Sequence, residues 1–322
     1  MKKIEKRTRT KITRNELEGY RSIIERVKTD PKIRKAKPSS GVIILSLVSD
    51  TYNIYNVFYK ILPELAKEFI GWTNDEGIPL KIVVRPDSGV PSNVLFGYNK
   101  VVKQFTTDVD VLEEAPLDLI MRVAKDMEIP PEVANVIVTK GIFQIAFDKF
   151  GFTVNSKGYK CLHPQIGILQ GDGVKYSVIA EIYKIMTHPA VMIDIMMLVF
   201  GSGGKNLQAH DRDEQKYAIK ATEVETLEGE IIPIEKNPIT DPGKRSKKGD
   251  LKLVKKQITD DASKDWMNYI TMQEGEEGFE EAINVLIPVF EMGEILVEYS
   301  FDEIRENNKI VIGSPALVGA NV

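Results

Sequence analysis

Four short polar phrases in this 322-residue chain carry residue types suited to an anionic sugar: Ser49-Asp50-Thr51, Arg85-Pro86-Asp87-Ser88-Gly89, Gly171-Asp172-Gly173 and Gly201-Ser202-Gly203-Gly204. Carboxylates can accept hydrogen bonds from sugar hydroxyls, and glycines let backbone N–H groups come close to a phosphate. Further along stand Arg212, Lys220, Lys236 and the basic run Asp241–Asp250, which contains Lys244. A reaction that expels a diphosphate needs cations beside the departing negative charge. Taken singly, each phrase is also an ordinary turn. Ser49-Asp50-Thr51 reads equally as a helix N-cap, a bare glycine turn is the commoner meaning of Gly-Ser-Gly-Gly, and a charge run usually marks a solvated face. Together, one arginine, three carboxylates and a glycine cradle suit a phosphorylated sugar.

The elements that must position them follow a rhythm of apolar strand, polar turn and amphipathic helix. Gly41–Val48, Leu80–Val84, Ile166–Gln170 and Ile195–Phe200 read as strands, each ending at one of the four phrases. Strands alternating with helical stretches predict βα units and a parallel sheet, whose C-terminal strand edge is where such proteins build their sites. The four turns are therefore expected to meet. Residues 91–152 hold more helical sequence than one crossover needs and read as a helical insertion. Residues 216–275 change to short alternating segments with Pro/Gly turns, a small antiparallel β-rich extension. Helices are expected near Gly278–Pro288 and Phe301–Glu306.

Bulk composition sets the limits. A mass of 36.2 kDa and 43% hydrophobic residues can fill a real core. Net charge −4 argues against a nucleic-acid or membrane-surface binder. Residues 1–37, a partly helical basic segment, hold 14 Lys/Arg against 5 Asp/Glu and read as a solvated arm or exposed helix. A single cysteine, Cys161, and the lack of a long apolar run predict a cytoplasmic protein without membrane spans. His163 and His188 each precede a proline, and neither they nor His210 complete a catalytic or metal pattern.

Seven phrases, in order, resemble the nicotinamide phosphoribosyltransferase family: VSDTYNIYN, IVVRPDSG, NSKGYK, LQGDGV, FGSGG, DPGKRSKKG and YSFDEIR; the preceding helix NELEGYRSIIERV resembles a family helix in character. The resemblance implies an irregular α/β barrel of the type II phosphoribosyltransferase kind, acting as a dimer. It implies formation of nicotinamide mononucleotide and pyrophosphate from nicotinamide and phosphoribosyl pyrophosphate, with Mg2+ carried by the diphosphate. By that resemblance Arg85 lies near base and ribose, and Asp87 and Asp172, with Gly171, hold the ribose hydroxyls. Gly203, Gly204 and Arg212 match the phosphate site, Lys220, Lys236 and Lys244 the pyrophosphate positions, and Asp50 and Thr51 the first strand end.

The family's N-terminal half, with the phosphorylatable histidine that couples ATP hydrolysis to synthesis, is not visible here. Four strands are also too few to close a barrel of about eight. The expected fold is thus a partial irregular (β/α) barrel over 38–322, helped by self-association or by a separately encoded N-terminal half. Nicotinate as the base, and a non-catalytic phosphoribosyl-binding or assembly subunit, stay open as alternatives.

Overall fold

The computed structural model describes residues 16–106, 108–201, 219–226, 229–256 and 268–312. Its centre is a four-stranded parallel sheet of β1 (Ile43–Val48), β2 (Leu80–Arg85), β5 (Ile166–Gln170) and β6 (Leu198–Phe200), adjacent in that order. Registers Ile43↔Leu80, Ile82↔Ile166 and Ile168↔Leu198 align every second side chain across the sheet. One face therefore presents Ile43, Leu45, Leu47, Leu80, Ile82, Val84, Ile166, Ile168 and Leu198 to the hydrophobic core.

Helices cover that face. α3 (Ile54–Asn56), a π-helical turn (Val57–Ile61) and α4 (Leu62–Phe69) run on as one crossover between β1 and β2. They bury Phe58, Leu62, Leu65 and Phe69 completely. Each such side chain contributes about 1.5–3 kcal/mol. After β2 come α5 (Pro91–Phe96), α6 (Lys100–Gln104), α7 (Leu117–Met127) and α8 (Pro131–Phe150), then a hairpin of β3 (Phe152–Val154) and β4 (Lys160–Leu162). α9 (Tyr176–Thr187) links β5 to β6. The NSKGYK phrase is the tip of the β3–β4 hairpin: Asn155 Oδ1 accepts from the N–H groups of Lys157 (2.9 Å) and Tyr159 (3.0 Å).

α8 is broken at Gly141, whose φ of 68° only glycine adopts readily. The break lets Gly141 lie directly on Gly97, which ends α5. A Cβ on Gly141 would stand 2.2 Å from the Gly97 nitrogen, and one on Gly97 1.9 Å from the Thr139 carbonyl oxygen. This backbone contact and the stacked Phe96 and Phe143 rings, 5.6 Å apart, clamp α5 against α8 within the insertion.

The basic N-terminal segment is helical in its described part, but it packs on the core instead of standing as an arm. α1 (Glu16–Thr29) is not a solvated arm, because Tyr20 and Ile24 are buried in the core and Leu17 and Val27 pack against it. Spacings of three and four residues put these four on one helix face. Flanking that stripe, Arg21 Nε donates to Glu68 of α4 at 2.9 Å and Lys28 Nζ to the Glu68 carbonyl at 2.8 Å.

Contacts divide the chain into two units, the first holding residues up to Lys220 plus Lys236–Ser246, the second Ala221–Glu235 and the remainder from Lys247. The second unit consists of antiparallel pairs, β7 (Glu223–Glu225) with β8 (Ile231–Pro233), β9 (Leu251–Lys255) with β10 (Tyr269–Gln273) and β11 (Phe290–Glu291) with β12 (Glu294–Ile295). Val254, Met272 and Phe279 form its small core. A helix over Gly278–Pro288 does not form. Instead the Val285 N–H donates to the Leu253 carbonyl at 2.8 Å, and Asn284 Oδ1 accepts from the Leu253 N–H at 3.0 Å, so the segment runs extended beside β9. The helix expected at Phe301 does form, as Phe301–Ile312. Among the described residues no helix is long and apolar enough to cross a membrane.

The Gly97–Gly141 contact sets a test. Gly141→Ala is expected to cost at least ~3 kcal/mol, from left-handed strain plus overlap with backbone, read as a lower urea midpoint, while Gly151→Ala, which meets no atom within 4 Å, loses only the strain.

Candidate functional site

The C-terminal ends of the four parallel strands lie along one sheet edge, and three of the four turns interlock. Beyond β1, the Ser49 N–H donates to the Arg85 carbonyl at 3.1 Å, which carries the pairing one residue past the strand. Asp50 is 1% exposed. Its Oδ2 accepts from the Asp87 N–H at 3.0 Å and from the Ser88 hydroxyl, tying the first turn to the second. The Arg85 side chain lies over the third turn, where a Cβ on Gly171 would come within 3.0 Å of Arg85 Cδ. The Gly201 N–H donates to the Gln170 carbonyl at 2.8 Å, bringing the start of the fourth turn alongside.

A segment far away in sequence completes the edge. Lys236–Ser246 closes on itself, the Lys236 N–H donating to Ser246 Oγ (2.9 Å) and the Ser246 N–H to the Lys236 carbonyl (2.8 Å). It is laid along the first turn by bonds from the Asn237 N–H to the Thr51 carbonyl (2.8 Å) and from the Ile239 N–H to the Tyr52 carbonyl (2.7 Å). Lys236 Nζ then stands 3.5 Å from Asp50 Oδ1 and 3.6 Å from Asp87 Oδ2. Lys244 Nζ pairs with Asp172 Oδ2 and donates to the Asp87 carbonyl at 2.8 Å. Burial pulls the Lys244 ammonium down, but the bonded Asp172 carboxylate and the charges of Asp172, Asp87 and Asp241 outweigh it and hold its pKa above the ordinary lysine value. That ammonium is therefore protonated at neutral pH.

Chemically, this is a set of three carboxylates held by two lysines, with an arginine alongside. Arg85 Nε is buried with no protein acceptor, and Gln170 Oε1 is buried with no donor. Asp87 and Asp172 keep side-chain exposures of 39% and 35%, enough to meet a ligand. Carboxylates can take sugar hydroxyls, and the two ammonium groups can take an anion by changing partners.

Of the residues expected from sequence, Asp50, Thr51, Arg85, Asp87, Gly171, Asp172, Lys236 and Lys244 are brought together, Thr51 through its carbonyl alone. Lys220 is exposed and stands outside this ion-pair set. Gly203, Gly204 and Arg212 lie outside the described residues. His163 and His188 serve turns, their Nδ1 atoms accepting from the N–H groups of Gln165 (3.2 Å) and Ala190 (3.1 Å). Sequence reasoning missed Thr240, whose hydroxyl sits 2.8 Å from Ser88 Oγ. Its only signal is its place beside the turn-forming Asp241-Pro242.

Next to the edge lies a cleft of about 440 Å³ lined by Glu16, Tyr52, Asn56, Lys60, Glu64 and Asp126, among others. Asp126 accepts from Asn53 Nδ2 at 2.7 Å, and Asn53 Oδ1 caps α3 through the Tyr55 and Asn56 N–H groups. Burial, then repulsion from Asp126 and Asp50, pushes the Glu16 carboxyl up to about 7.

Comparison with known proteins adds family evidence. Residues 22–270 match the nicotinate phosphoribosyltransferase (NAPRTase) family. A protein named nicotinamide phosphoribosyltransferase from Xanthomonas campestris pv. campestris is 28% identical over 293 residues, covering 90% of this chain and 47% of the relative. One of the same name from Acinetobacter baylyi is 27% identical, over 91% of this chain and 47% of its own length. A third, from Mycoplasma pneumoniae, is 30% identical over 63% of this chain and 36% of its own length. The chain thus spans about half the length of the first two curated relatives.

Glu16 gives the site a pH signature. Its folded pKa lies above the unfolded value of 4.5, so the stability it contributes is whole below that pH and is lost as pH rises through about 7. Glu16→Gln is expected to flatten this slope and leave the protein about 1–3 kcal/mol more stable than wild type above roughly pH 8, as read from urea midpoints across pH.

Proposed function

The chain belongs to the nicotinate phosphoribosyltransferase family, and on that premise we propose that it is the phosphoribosyl-binding half of a nicotinamide phosphoribosyltransferase of NAD salvage. The observation that carries the reading is the interlocked edge, where Asp50, Asp87 and Asp172 are held by Lys236 and Lys244. The reaction joins the pyridine nitrogen of nicotinamide to C1 of phosphoribosyl pyrophosphate. The nitrogen lone pair forms the new bond, and the C1–O bond pair leaves with pyrophosphate. The nitrogen needs little activation, so the site's work falls on the departing diphosphate and the positive charge that grows at C1 and the ring oxygen.

Asp87 and Asp172 stand as the acceptors for ribose hydroxyls, and their negative charge favours the oxocarbenium-like centre. Lys244 and Lys236 exchange carboxylate for diphosphate oxygens and take up the leaving group's charge in an already organised arrangement. Arg85, with its buried Nε unsatisfied, reaches toward base and ribose. Among the described residues no group of three His, Cys, Asp or Glu side chains is placed to hold a metal. In this reading Asp87 and Asp172 are the carboxylates that would meet a magnesium ion bound to the diphosphate, which would supply shielding of the diphosphate charge.

The sheet supports the need for a partner. Its second face exposes Ile44 (58%), Val48 (40%) and Val199 (55%), and β1 and β6 have no further neighbour among the described residues. An exposed apolar sheet face and two open edges favour cover by another polypeptide. We assign that role to a separately supplied N-terminal half, with a second copy of this chain as the simpler substitute.

Nicotinamide is preferred to nicotinate because the curated relatives carry that name. Purified chain, alone and co-expressed with the N-terminal half of the Xanthomonas relative, would be given phosphoribosyl pyrophosphate, magnesium and either base, and products read by mass spectrometry. The expected result is nicotinamide mononucleotide from the pair, falling at least ~100-fold with Asp172→Asn. A preference for nicotinate would reassign the base, and no product from either preparation would leave a non-catalytic binding subunit.

A further inference from the structure

Lys236 and Lys244 lie four residues before and after Thr240, and both reach the strand ends only because the segment between them is pinned. The pin has an internal order of donors. Ser88 has one hydroxyl hydrogen, and the buried Asp50 carboxylate takes it. The contact of 2.8 Å between Ser88 Oγ and Thr240 Oγ1 therefore has Thr240 as donor. A chain of hydrogen bonds runs from Thr240 through Ser88 to Asp50, ending on the carboxylate that faces Lys236.

Sterics support the same placement. Gly89, at φ 78°, leaves no room for a side chain, since a Cβ there would stand 2.9 Å from Thr240 Cβ. Thr240 thus seats its methine directly on the backbone of the second turn. On one side the Ile239 carbonyl is held by Arg122 Nε at 3.3 Å. On the other, Asp241 Oδ1 accepts from the Gly243 N–H at 3.1 Å and shapes the short turn that carries Lys244.

We propose that Thr240 is a positioning residue for anion binding: its hydroxyl, donated to Ser88, fixes the Lys236–Ser246 segment so that both lysines meet a diphosphate at the strand ends. The proposal rests on the phosphoribosyl reading of the site and assigns Thr240 no contact with the ligand. It separates two tasks along one edge. Asp87 and Asp172 sit in the turns directly after β2 and β5 and keep their places without Thr240, whereas the two cations depend on it.

The test uses the full chain and two probes, inorganic pyrophosphate with magnesium and ribose 5-phosphate, titrated calorimetrically into wild type, Thr240→Val and Thr240→Ser. Thr240→Val keeps the shape and removes the donor, and should weaken pyrophosphate binding by about tenfold while leaving ribose 5-phosphate within about twofold. Thr240→Ser retains the donor and should restore pyrophosphate binding. Equal pyrophosphate affinity in wild type and Thr240→Val would overturn the positioning role alone, and so would parallel loss of both probes, the mark of general damage. Wild type binding neither probe would instead remove the phosphoribosyl reading, and this proposal with it.

Discussion

A buried carboxylate is the constraint on which this edge depends. Asp50 is almost wholly removed from water, and an ionised carboxylate in that position is tolerated only when donors and a counter-charge surround it. It has the Asp87 N–H, the Ser88 hydroxyl and, at longer range, the Lys236 ammonium. Both donors go to Oδ2, and Oδ1 has only the Lys236 ammonium at 3.5 Å; surrounding this charge fixes the second turn against the first and brings Lys236–Ser246, with Thr240 152 residues beyond Ser88, onto both. Removing the partners of a buried charge is costly, on the order of 3–5 kcal/mol, so the interlock is stiff where the chemistry needs stiffness.

The same interlock makes the unliganded edge nearly neutral. Each lysine that could meet a diphosphate is occupied by a carboxylate that could meet a ribose. A ligand carrying both hydroxyls and a diphosphate can relieve both sets at once, and a simple anion must compete with Asp172 for Lys244. Such mutual pairing favours a substrate in which sugar and diphosphate are joined over either fragment alone. It also keeps Lys244 charged, since that ammonium gains from its carboxylate neighbours more than burial takes away.

Much of this is legible in the residues. Each parallel strand is a run of Ile, Leu and Val cut off by Gly, Asp or Pro, and parallel topology then brings the strand ends to one edge whatever the loops do. The Lys236–Ser246 segment is legible only in its charge. Its residues sit within a stretch of short antiparallel strands, and nothing in their pattern reveals that they leave that unit to lie on the first turn. α1 departs from expectation because its many charges mask the Leu17, Tyr20, Ile24 and Val27 stripe. Within Gly278–Pro288, Phe279, Ala282, Ile283 and Leu286 fall at helical spacing, whereas the β-branched Ile283, Val285 and Ile287 favour extension, and the pairing with Leu253 beside β9 decides the outcome. The one signal at Thr240, a hydroxyl beside Asp-Pro, is uninformative because any turn would carry it.

The most direct measurement is the affinity for phosphoribosyl pyrophosphate across a double-mutant cycle of Asp172→Asn and Lys244→Met. If the carboxylate takes the ribose and the ammonium the diphosphate of one molecule, each single variant should bind at least ~10-fold more weakly than wild type, and the double variant should depart from additivity because the two side chains also hold each other. Wild-type affinity in both single variants would contradict a shared substrate site at this strand edge.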